Sequence, residues 1–187
     1  HIPMRIGELI PFESYSNNKI TRIQHVALFK KHLYKIGLGK AGIFKTQTAI
    51  APAENRAELQ HALKNKCEDL GETTDGKVMY LYQHQTSSPI LREIGRLREI
   101  AFRAVGEGTN KRRDIDRYDA FYYHLILWDK EDLEIAGAYR FGDAKTIIEN
   151  DSVKGLYSAS LFDYGPAMAP YFAQGLELGR SFVQPKY

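Results

Sequence analysis

The stretch Leu176-Glu177-Leu178-Gly179-Arg180-Ser181-Phe182-Val183 is the most informative part of this sequence. It is rich in β-forming residues, so we predict a strand. Alternation along a strand places Glu177, Gly179 and Ser181 on one face and Leu178, Arg180 and Phe182 on the other, unless a bulge intervenes at Gly179. A carboxylate and a guanidinium inside an apolar strand indicate a polar site in or beside a sheet. An internal ion pair is the alternative for either residue alone.

The segment before this strand contains the other elements of an α+β fold. Residues 77–83 form a predicted strand, and Ser88-Pro89 opens a helix to about residue 105, because serine caps helices and proline suits their first position. Two apolar runs, 121–128 and 133–141, flank a hairpin turn at 129–132. The order strand, helix, strand, strand and a later strand differs from the strict alternation of a doubly wound sheet. We therefore predict an α+β fold.

The first 70 residues are predicted to be mostly helical. Apolar residues spaced by three or four positions predict a helix over about residues 19–36, capped by Asn18. Its apolar side consists of Ile23, Val26, Phe29, Leu33 and Ile36. A second, weaker helix is predicted over about residues 54–70, through the half-buried Cys67. A polar turn at 72–76 follows, so we place a domain boundary between residues 70 and 71.

Composition and charge limit the class of protein. The chain has 187 residues, of which 43% are hydrophobic and 26% charged, which allows one good core or two small ones. The net charge of +3 suits an anionic partner such as a membrane surface or an acidic carrier protein, but does not predict nucleic-acid binding. A single cysteine, with no secretory signal and no apolar stretch long enough to span a bilayer, predicts a cytoplasmic location.

Several polar residues are candidates for a site. Asp116 and Asp119 lie three residues apart just before a predicted strand, although sequence alone favours a solvated, self-paired loop around them. His124 is expected to be a core or interface histidine with one hydrogen-bond partner, and a role as general base is an alternative that no nearby partner in the sequence supports. Arg140 lies between two aromatic residues and needs an anionic partner, because burying an unpaired guanidinium is costly. The sequence contains no metal-ligand spacing and no nucleotide-binding glycine motif, so it predicts neither a metal nor a redox cofactor.

Four segments together resemble a known family. They are Leu97-Arg98-x-x-Ala101-Phe102, Asp116-x-Tyr118-Asp119, Tyr139-Arg140 and residues 177–183. Their order and spacing resemble the ornithine N-acyltransferase branch of the GNAT superfamily and, more distantly, acyl-homoserine-lactone synthases. Residues 2–12 and the basic helix after them resemble the tail of a glycerolipid (lysophospholipid) acyltransferase domain. Chains with both parts in this order often carry a haemolysin label, for which these residues give no chemical basis.

The resemblance implies a fold and a domain organisation. Residues 71–187 would form the first part of a GNAT-like domain, with a mixed or antiparallel sheet and flanking helices. Residues 1–70 would be the tail of an O-acyltransferase-like domain. In this superfamily the strand ending near residue 183 is followed by a loop and helix that bind the donor's phosphate. We therefore expect these 187 residues alone to be inactive or barely active.

The resemblance also implies a reaction. An acyl thioester on acyl carrier protein or coenzyme A would be the co-substrate, with no separate cofactor, and the amine of an amino acid such as ornithine would be the acceptor. The residues carried over are Glu177, Asp116 and Asp119 as catalytic and Arg98, Phe102, Arg140, Arg180 and Ser181 as substrate-binding. Glu177 would orient or deprotonate the amine, and Phe102 would line the acyl path. The basic residues 111–113 would meet the acidic carrier or form a solvated loop.

Two other functions are compatible with the same residues. The first is a synthase of a diffusible acyl-homoserine lactone, and the second is a non-catalytic module that docks on a membrane or a carrier protein. Peripheral contact with the inner face of the cell membrane is expected for a lipid-forming enzyme. An uncovered sheet edge would favour a homodimer, since unpaired strand edges bind other strands.

Overall fold

The computed structural model describes residues 4, 6–16, 19–83 and 88–187. The chain forms two compact units. The first comprises His1–Ile50 with Asn110–Arg112, and the second comprises Ala51–Thr109 with Arg113–Tyr187. Over the described residues, no helix combines the length and the apolar character that crossing a membrane requires.

The first unit is built on helix α1, Arg22–Gly37, which follows a short 3-10 helix at Phe12–Ser14. Thr21 caps α1 through a reciprocal pair of hydrogen bonds with Gln24: the Thr21 hydroxyl accepts from the Gln24 N–H, and the Gln24 side chain accepts from the Thr21 N–H. The predicted cap, Asn18, lies outside the described residues.

The apolar side predicted for α1 does not coincide with its inward side. Buried His32 takes the inward position, where its Nδ1 accepts from the backbone N–H groups of Ile43 and Phe44 at 2.9 and 3.1 Å. Satisfying buried backbone donors favours this polar residue at that position. Two of the five predicted apolar residues, Phe29 and Ile36, are half-buried. The other three are exposed: Ile23, Val26 and Leu33.

The second unit is built on a five-stranded antiparallel sheet whose strands lie side by side in chain order. The strands are β1 Glu68–Glu72, β2 Val78–Gln83, β3 Tyr123–Asp129, β4 Glu134–Asp143 and β5 Leu176–Val183. Strand β3 shows the predicted alternation: His124, Ile126 and Trp128 are buried, and the residues between them are half-buried. His124 is therefore a core residue, as predicted.

Helices α2, Arg56–Lys66, and α3, Pro89–Ala104, pack on this sheet and form the main core with it. Ser88 caps α3, since its hydroxyl accepts from the Ile90 N–H at 3.2 Å, and Pro89 follows at the first helical position. Of the residues predicted to form the buried side of α3, Ile90, Ile94 and Leu97 are buried. Ala101 is half-buried and Ala104 is exposed. The predicted α+β fold with an antiparallel sheet and flanking helices is confirmed.

The structure around residues 66–72 differs from the predictions. Helix α2 ends at Lys66, and residues 68–72 form β1, an exposed edge strand without an apolar pattern to reveal it. Cys67 is half-buried, as predicted, but lies in extended backbone, and its burial raises the pKa of its thiol to about 12. The compact units divide near residue 50, so α2 belongs to the sheet unit. The assignment of residues 1–70 to an O-acyltransferase-like domain stays a prediction.

The long connection from β4 to β5 is folded. It contains α4, Ala144–Asp151, a four-residue helix α5, Ala169–Phe172, and three short 3-10 turns. A second, smaller core forms here around Tyr118, Tyr122, Ala144, Ile147 and Leu156. This cluster supports one side of the candidate site.

Candidate active site

The acidic residues of the site are fixed by the short 3-10 helix Arg117–Ala120. Asp116 begins this helix, and its carboxylate accepts from the Tyr118 N–H at 2.9 Å. The Asp119 carboxylate accepts in return from the Asp116 N–H at 2.8 Å. Because of this reciprocal capping, neither carboxylate rotates freely. Asp119 is fully buried and Asp116 half-buried, so the solvated loop favoured by sequence alone is wrong here.

Asp119 lies between two buried arginines. Arg98 on α3 approaches one carboxylate oxygen at 2.8 Å, and Arg140 on β4 approaches the other at 3.0 Å. Arg140 also binds Asp116 at 2.7 Å, which supplies the anionic partner predicted for it. Burial by itself would raise the pKa of Asp119, but the two guanidinium groups outweigh that effect and hold this pKa below its ordinary value.

Asp114 is a member of this network that sequence reasoning did not single out. Its backbone carbonyl accepts from Nε and Nη2 of Arg98 at 3.1 and 2.6 Å. Its carboxylate is 2% exposed and lies 3.2 Å from Nη1 of Arg180, whose Nη2 is 3.8 Å from Asp116. Burial raises the pKa of Asp114, although Arg98 and Arg180 oppose the rise. Three carboxylates and three guanidinium groups thus form one largely buried, charge-balanced network.

Aromatic rings enclose the two arginines from β4 and β5. The guanidinium of Arg140 lies 5.3–5.7 Å from the ring centres of three tyrosines, Tyr118, Tyr122 and Tyr157. The guanidinium of Arg180 lies 5.5 Å from Tyr157 and 5.8 Å from Phe102. Tyr157 therefore contacts both arginines. Such cation–π contacts fix the positions of guanidinium groups without neutralising them.

Glu177 on β5 is held by three donors. Its Oε1 accepts from the Ser158 N–H at 2.6 Å, and its Oε2 accepts from the Tyr157 N–H at 2.9 Å and from the hydroxyl of Tyr122. Burial and the Glu177 carboxylate together raise the pKa of Tyr122, so this hydroxyl remains a donor at neutral pH. Glu177 adjoins the arginine–aspartate network through Tyr157.

The two charged residues of β5 point the same way, which corrects the predicted alternation. Gly179 pairs with Arg140 and Phe182 with Ala138, so three steps on β5 face two on β4. This bulge lies at Arg180 and Ser181, one residue beyond the predicted position, and Arg180 adopts a positive φ of 53°. As a result Glu177 and Arg180 both reach Tyr157, whereas Ser181 is exposed on the other face.

Two apolar cavities adjoin β5. One has a volume of about 480 Å³ and lies on the sheet face away from α3, where it is lined by Ser181, Leu127, Tyr139 and Val183 among others. The other has a volume of about 440 Å³, and Glu177 lies in its wall. Phe102 contacts Arg180 but lines neither cavity. The structure thus brings together Asp116, Asp119, Arg98, Arg140, Arg180 and Phe102, with Glu177 adjacent and Ser181 apart.

The remaining polar candidates lie around this network. His124 has its Nε2 3.7 Å from Asp119, and burial, together with Arg98 and Arg140, lowers its pKa to about 4 although Asp119 opposes this. Arg113 binds Glu54 at 3.0 Å and is therefore not a free carrier contact. Within the described ranges, no group of three or more His, Cys, Asp or Glu residues is arranged to hold a metal ion.

Known proteins resemble the part of the chain that carries this network. Residues 97–187 match the family described as "Acetyltransferase (GNAT) domain". A glycine N(alpha)-acyltransferase of Bacteroides thetaiotaomicron is 41% identical over 114 residues, which is 58% of this chain and 34% of that protein. A glycine N(alpha)-acyltransferase of Phocaeicola vulgatus is 42% identical over 115 residues, 58% of this chain and 35% of that protein.

An L-ornithine N(alpha)-acyltransferase of Agrobacterium fabrum is 36% identical over 96 residues, which is 48% of this chain and 31% of that protein. The chain thus spans about a third of the length of these curated relatives. No solved structure matches it. The predicted resemblance to GNAT N-acyltransferases of the ornithine-lipid type is confirmed. Residues 97–187, just under half of the chain, are thus similar to the GNAT acetyltransferase domain family.

Proposed function

We propose that this protein transfers a fatty acyl group from a thioester to the amino group of an amino acid. The observation that carries the proposal is the charge-balanced network of three aspartates and three arginines beside Glu177, in a segment related to N-acyltransferases. Relatives named for glycine and for ornithine both acylate an α-amino group, so an α-amino acid is the acceptor class that we propose.

The acceptor would meet the network where it is least buried. The side chains of Asp116 and Arg180 are 24% and 22% exposed, whereas those of Arg98, Asp114, Asp119 and Arg140 are 2% exposed or less. Asp116 and Arg180 carry opposite charges and lie side by side. They therefore suit the amino and carboxylate groups of a zwitterion, since charge-assisted hydrogen bonds recognise both groups.

The chemistry needs a proton acceptor and a group that stabilises an oxyanion. The amine nitrogen attacks the thioester carbonyl, the C–S bond breaks, and an amide and a thiol are released. A carboxylate has about four lone-pair positions, and three donors occupy those of Glu177, which leaves one to accept the amine's proton directly or through water. The β5 bulge withdraws backbone N–H groups from the ladder, and such groups would stabilise the oxyanion.

The finer assignments belong to the same proposal. The donor is acyl carrier protein or coenzyme A, and the product is an acyl-amino-acid lipid made in the cytoplasm at the inner face of the membrane. Glycine and ornithine are the two acceptors to compare first. An acyl-homoserine-lactone-type product and a non-catalytic docking role remain the competing functions.

The test measures thiol release by the full-length protein from acyl-carrier and coenzyme A thioesters, with a panel of amines led by glycine and ornithine. Mass spectrometry of the product identifies the acceptor and separates an acyl-amino acid from a lactone. Glu177→Gln keeps an oxygen that accepts from the backbone but removes the base, and we expect a loss of about 10²–10⁴-fold in rate. Glu149→Gln, at an exposed position on α4, is the matched control.

Two results would contradict the proposal. Thiol release that does not depend on an amine would indicate thioester hydrolysis, and no release from a folded protein with any amine would favour the docking role. Full activity in Glu177→Gln would remove Glu177 from the reaction while leaving the acyltransferase class intact.

A further inference from the structure

The cavity of about 440 Å³ lies beside the edge strand β5, within the folded connection that precedes that strand. Its lining is mostly aromatic and aliphatic, and includes Leu161, Phe162, Met168, Tyr171 and Phe172. Phe172 and Tyr157 pack on the smaller core around Leu156, which is 1% exposed. One wall of the cavity is therefore supported by a packed cluster of side chains.

Large apolar side chains line this cavity although they are exposed. Phe162 is 64% exposed, Leu161 62% and Tyr171 70%. Exposed apolar groups that surround a concavity are typical of ligand sites, because covering them with an apolar ligand removes their contact with water.

The same cavity has a polar end. Glu177 lies in its wall, as do Tyr157 and Ser158, whose backbone N–H groups bind that carboxylate. An apolar space that ends at a carboxylate suits a ligand with an alkyl body and a reacting head. The cavity of about 480 Å³, which lies on the open face of the sheet, away from α3, has no acidic or basic residue in its lining.

We infer that the cavity beside Glu177 binds the alkyl chain of the acyl donor. This inference rests on the proposed function, which supplies a fatty acyl thioester and places the attack on it next to Glu177. The chain would cover Phe162 and Tyr171, and the thioester carbonyl would lie at the Glu177 end. Selection of the acyl length would then depend on residues 157–172 and not on the arginine–aspartate network.

The test measures binding without turnover. Neutral S-acyl-N-acetylcysteamine thioesters with butanoyl, hexanoyl, octanoyl and decanoyl chains are titrated into the 187-residue protein by calorimetry, in the absence of any amine. We expect affinity to rise about fourfold for each added methylene until the cavity is filled, since each buried methylene contributes a nearly constant transfer free energy. Glu149→Gln, at an exposed position on α4 outside the cavity, should leave this chain-length dependence unchanged.

Substitutions assign the binding to this cavity. Phe162→Gln and Tyr171→Gln should each lower the affinity for the decanoyl probe by about tenfold, with a smaller effect on the butanoyl probe. Val105→Gln is the matched control, since Val105 is 70% exposed in the same compact unit but outside the cavity. Circular dichroism confirms that each variant is folded.

Each contrary outcome identifies which idea has failed. Affinity that is independent of chain length, or equal losses in Phe162→Gln and Val105→Gln, would overturn the inference. Loss in Leu127→Gln with no loss in Phe162→Gln would overturn it in favour of the cavity on the open sheet face. If chain-length-dependent binding follows the expected pattern but the full-length protein acylates no amine, the proposed function fails and this site is a binding site only.

Discussion

Asp119 is the residue on which the arginine–aspartate network depends, because each of its oxygens compensates a different buried arginine. We predict that Asp119→Asn, which keeps the shape but removes the charge, lowers the free energy of unfolding by about 3–5 kcal/mol. The loss arises because Arg98 and Arg140 then share too little negative charge in a buried environment. Urea unfolding, followed by the fluorescence of Trp128, measures it.

An exposed aspartate provides the control for this experiment. Asp163→Asn removes the same charge at an exposed position, where we expect a change within about 0.5 kcal/mol. Equal stability of the two variants would show that the buried pairs do not stabilise the fold, and the network would then need another explanation for its burial.

His124 should make stability depend on pH in a defined window. Its pKa is 6.5 in ordinary surroundings and about 4 in the folded chain, chiefly because of burial. Between these values the unfolded chain binds the proton and the folded chain does not, so stability falls as pH is lowered from 6.5 towards 4. A shift of this size corresponds to about 3 kcal/mol.

The measurement compares wild type with His124→Gln by urea unfolding at several pH values. The variant should lose most of the slope between pH 6.5 and 4. The raised pKa of Asp114 contributes with the opposite sign, but it is present in both proteins and largely cancels in the difference. Identical slopes would mean that His124 is protonated in the folded state.

At the level of single residues, most members of the arginine–aspartate network could be predicted from the sequence, but Asp114 and the neighbouring Tyr157 could not. The requirement of Arg140 for an anion could be predicted, because the cost of burying a guanidinium is general. Asp114 was not identifiable, since an aspartate in a loop of mixed charges has no pattern that signals burial. Tyr157 was not identifiable either, because it lies in a 3-10 region whose packing depends on the fold around it.

Helix α3 packs tightly against the loop that contains Asp114 and Ile115. A Cβ at Gly95 would lie 2.4 Å from Cγ1 of Ile115 and 3.2 Å from the carbonyl oxygen of Asp114. We predict that Gly95→Ala lowers the free energy of unfolding by about 1–3 kcal/mol through overpacking, although alanine favours helix by about 1 kcal/mol. Thermal unfolding of the variant measures the balance.

Gly165→Ala is the control in the same compact unit, because nothing lies within 4 Å of the added Cβ and the φ of Gly165 is −76°. It should be neutral or slightly stabilising. A Gly95→Ala protein more stable than wild type would show that the loop moves away without loss, and that helix propensity decides the outcome.

The elements whose positions depend on local sequence could be predicted, and those that depend on a distant partner could not. Strands β2 to β5 have apolar patterns, and helix α3 has an apolar pattern and a clear N-cap, so the positions of these elements could be predicted. Strand β1 has the sequence EDLGE and is held by pairing with β2, which no local pattern reveals. The bulge of β5 depends on its register with β4 and therefore on a partner distant in sequence.

At the level of the whole molecule, the two candidate boundaries make opposite predictions. Every residue of the main core lies between Leu59 and Phe182, within the second compact unit. A chain that starts at residue 51 should therefore unfold cooperatively. Its free energy of unfolding should lie within about 1 kcal/mol of the value for the second unit in the 187-residue chain. A chain that starts at residue 71, the boundary predicted from sequence, lacks α2 and most of β1.

Removing α2 deletes Leu59 and Leu63, which are 2% and 1% exposed, and opens the core over the sheet. Loss of each buried leucine costs about 2–5 kcal/mol, and the sum approaches the whole stability of a small domain. We therefore expect the chain from residue 71 to show no cooperative transition and a red-shifted Trp128 emission. In the chain from residue 51, Leu63→Ala should lower the free energy of unfolding by about 2–5 kcal/mol, the cost of losing one buried leucine. If both shortened chains fold equally well, α2 is dispensable and the domain begins where the composition changes.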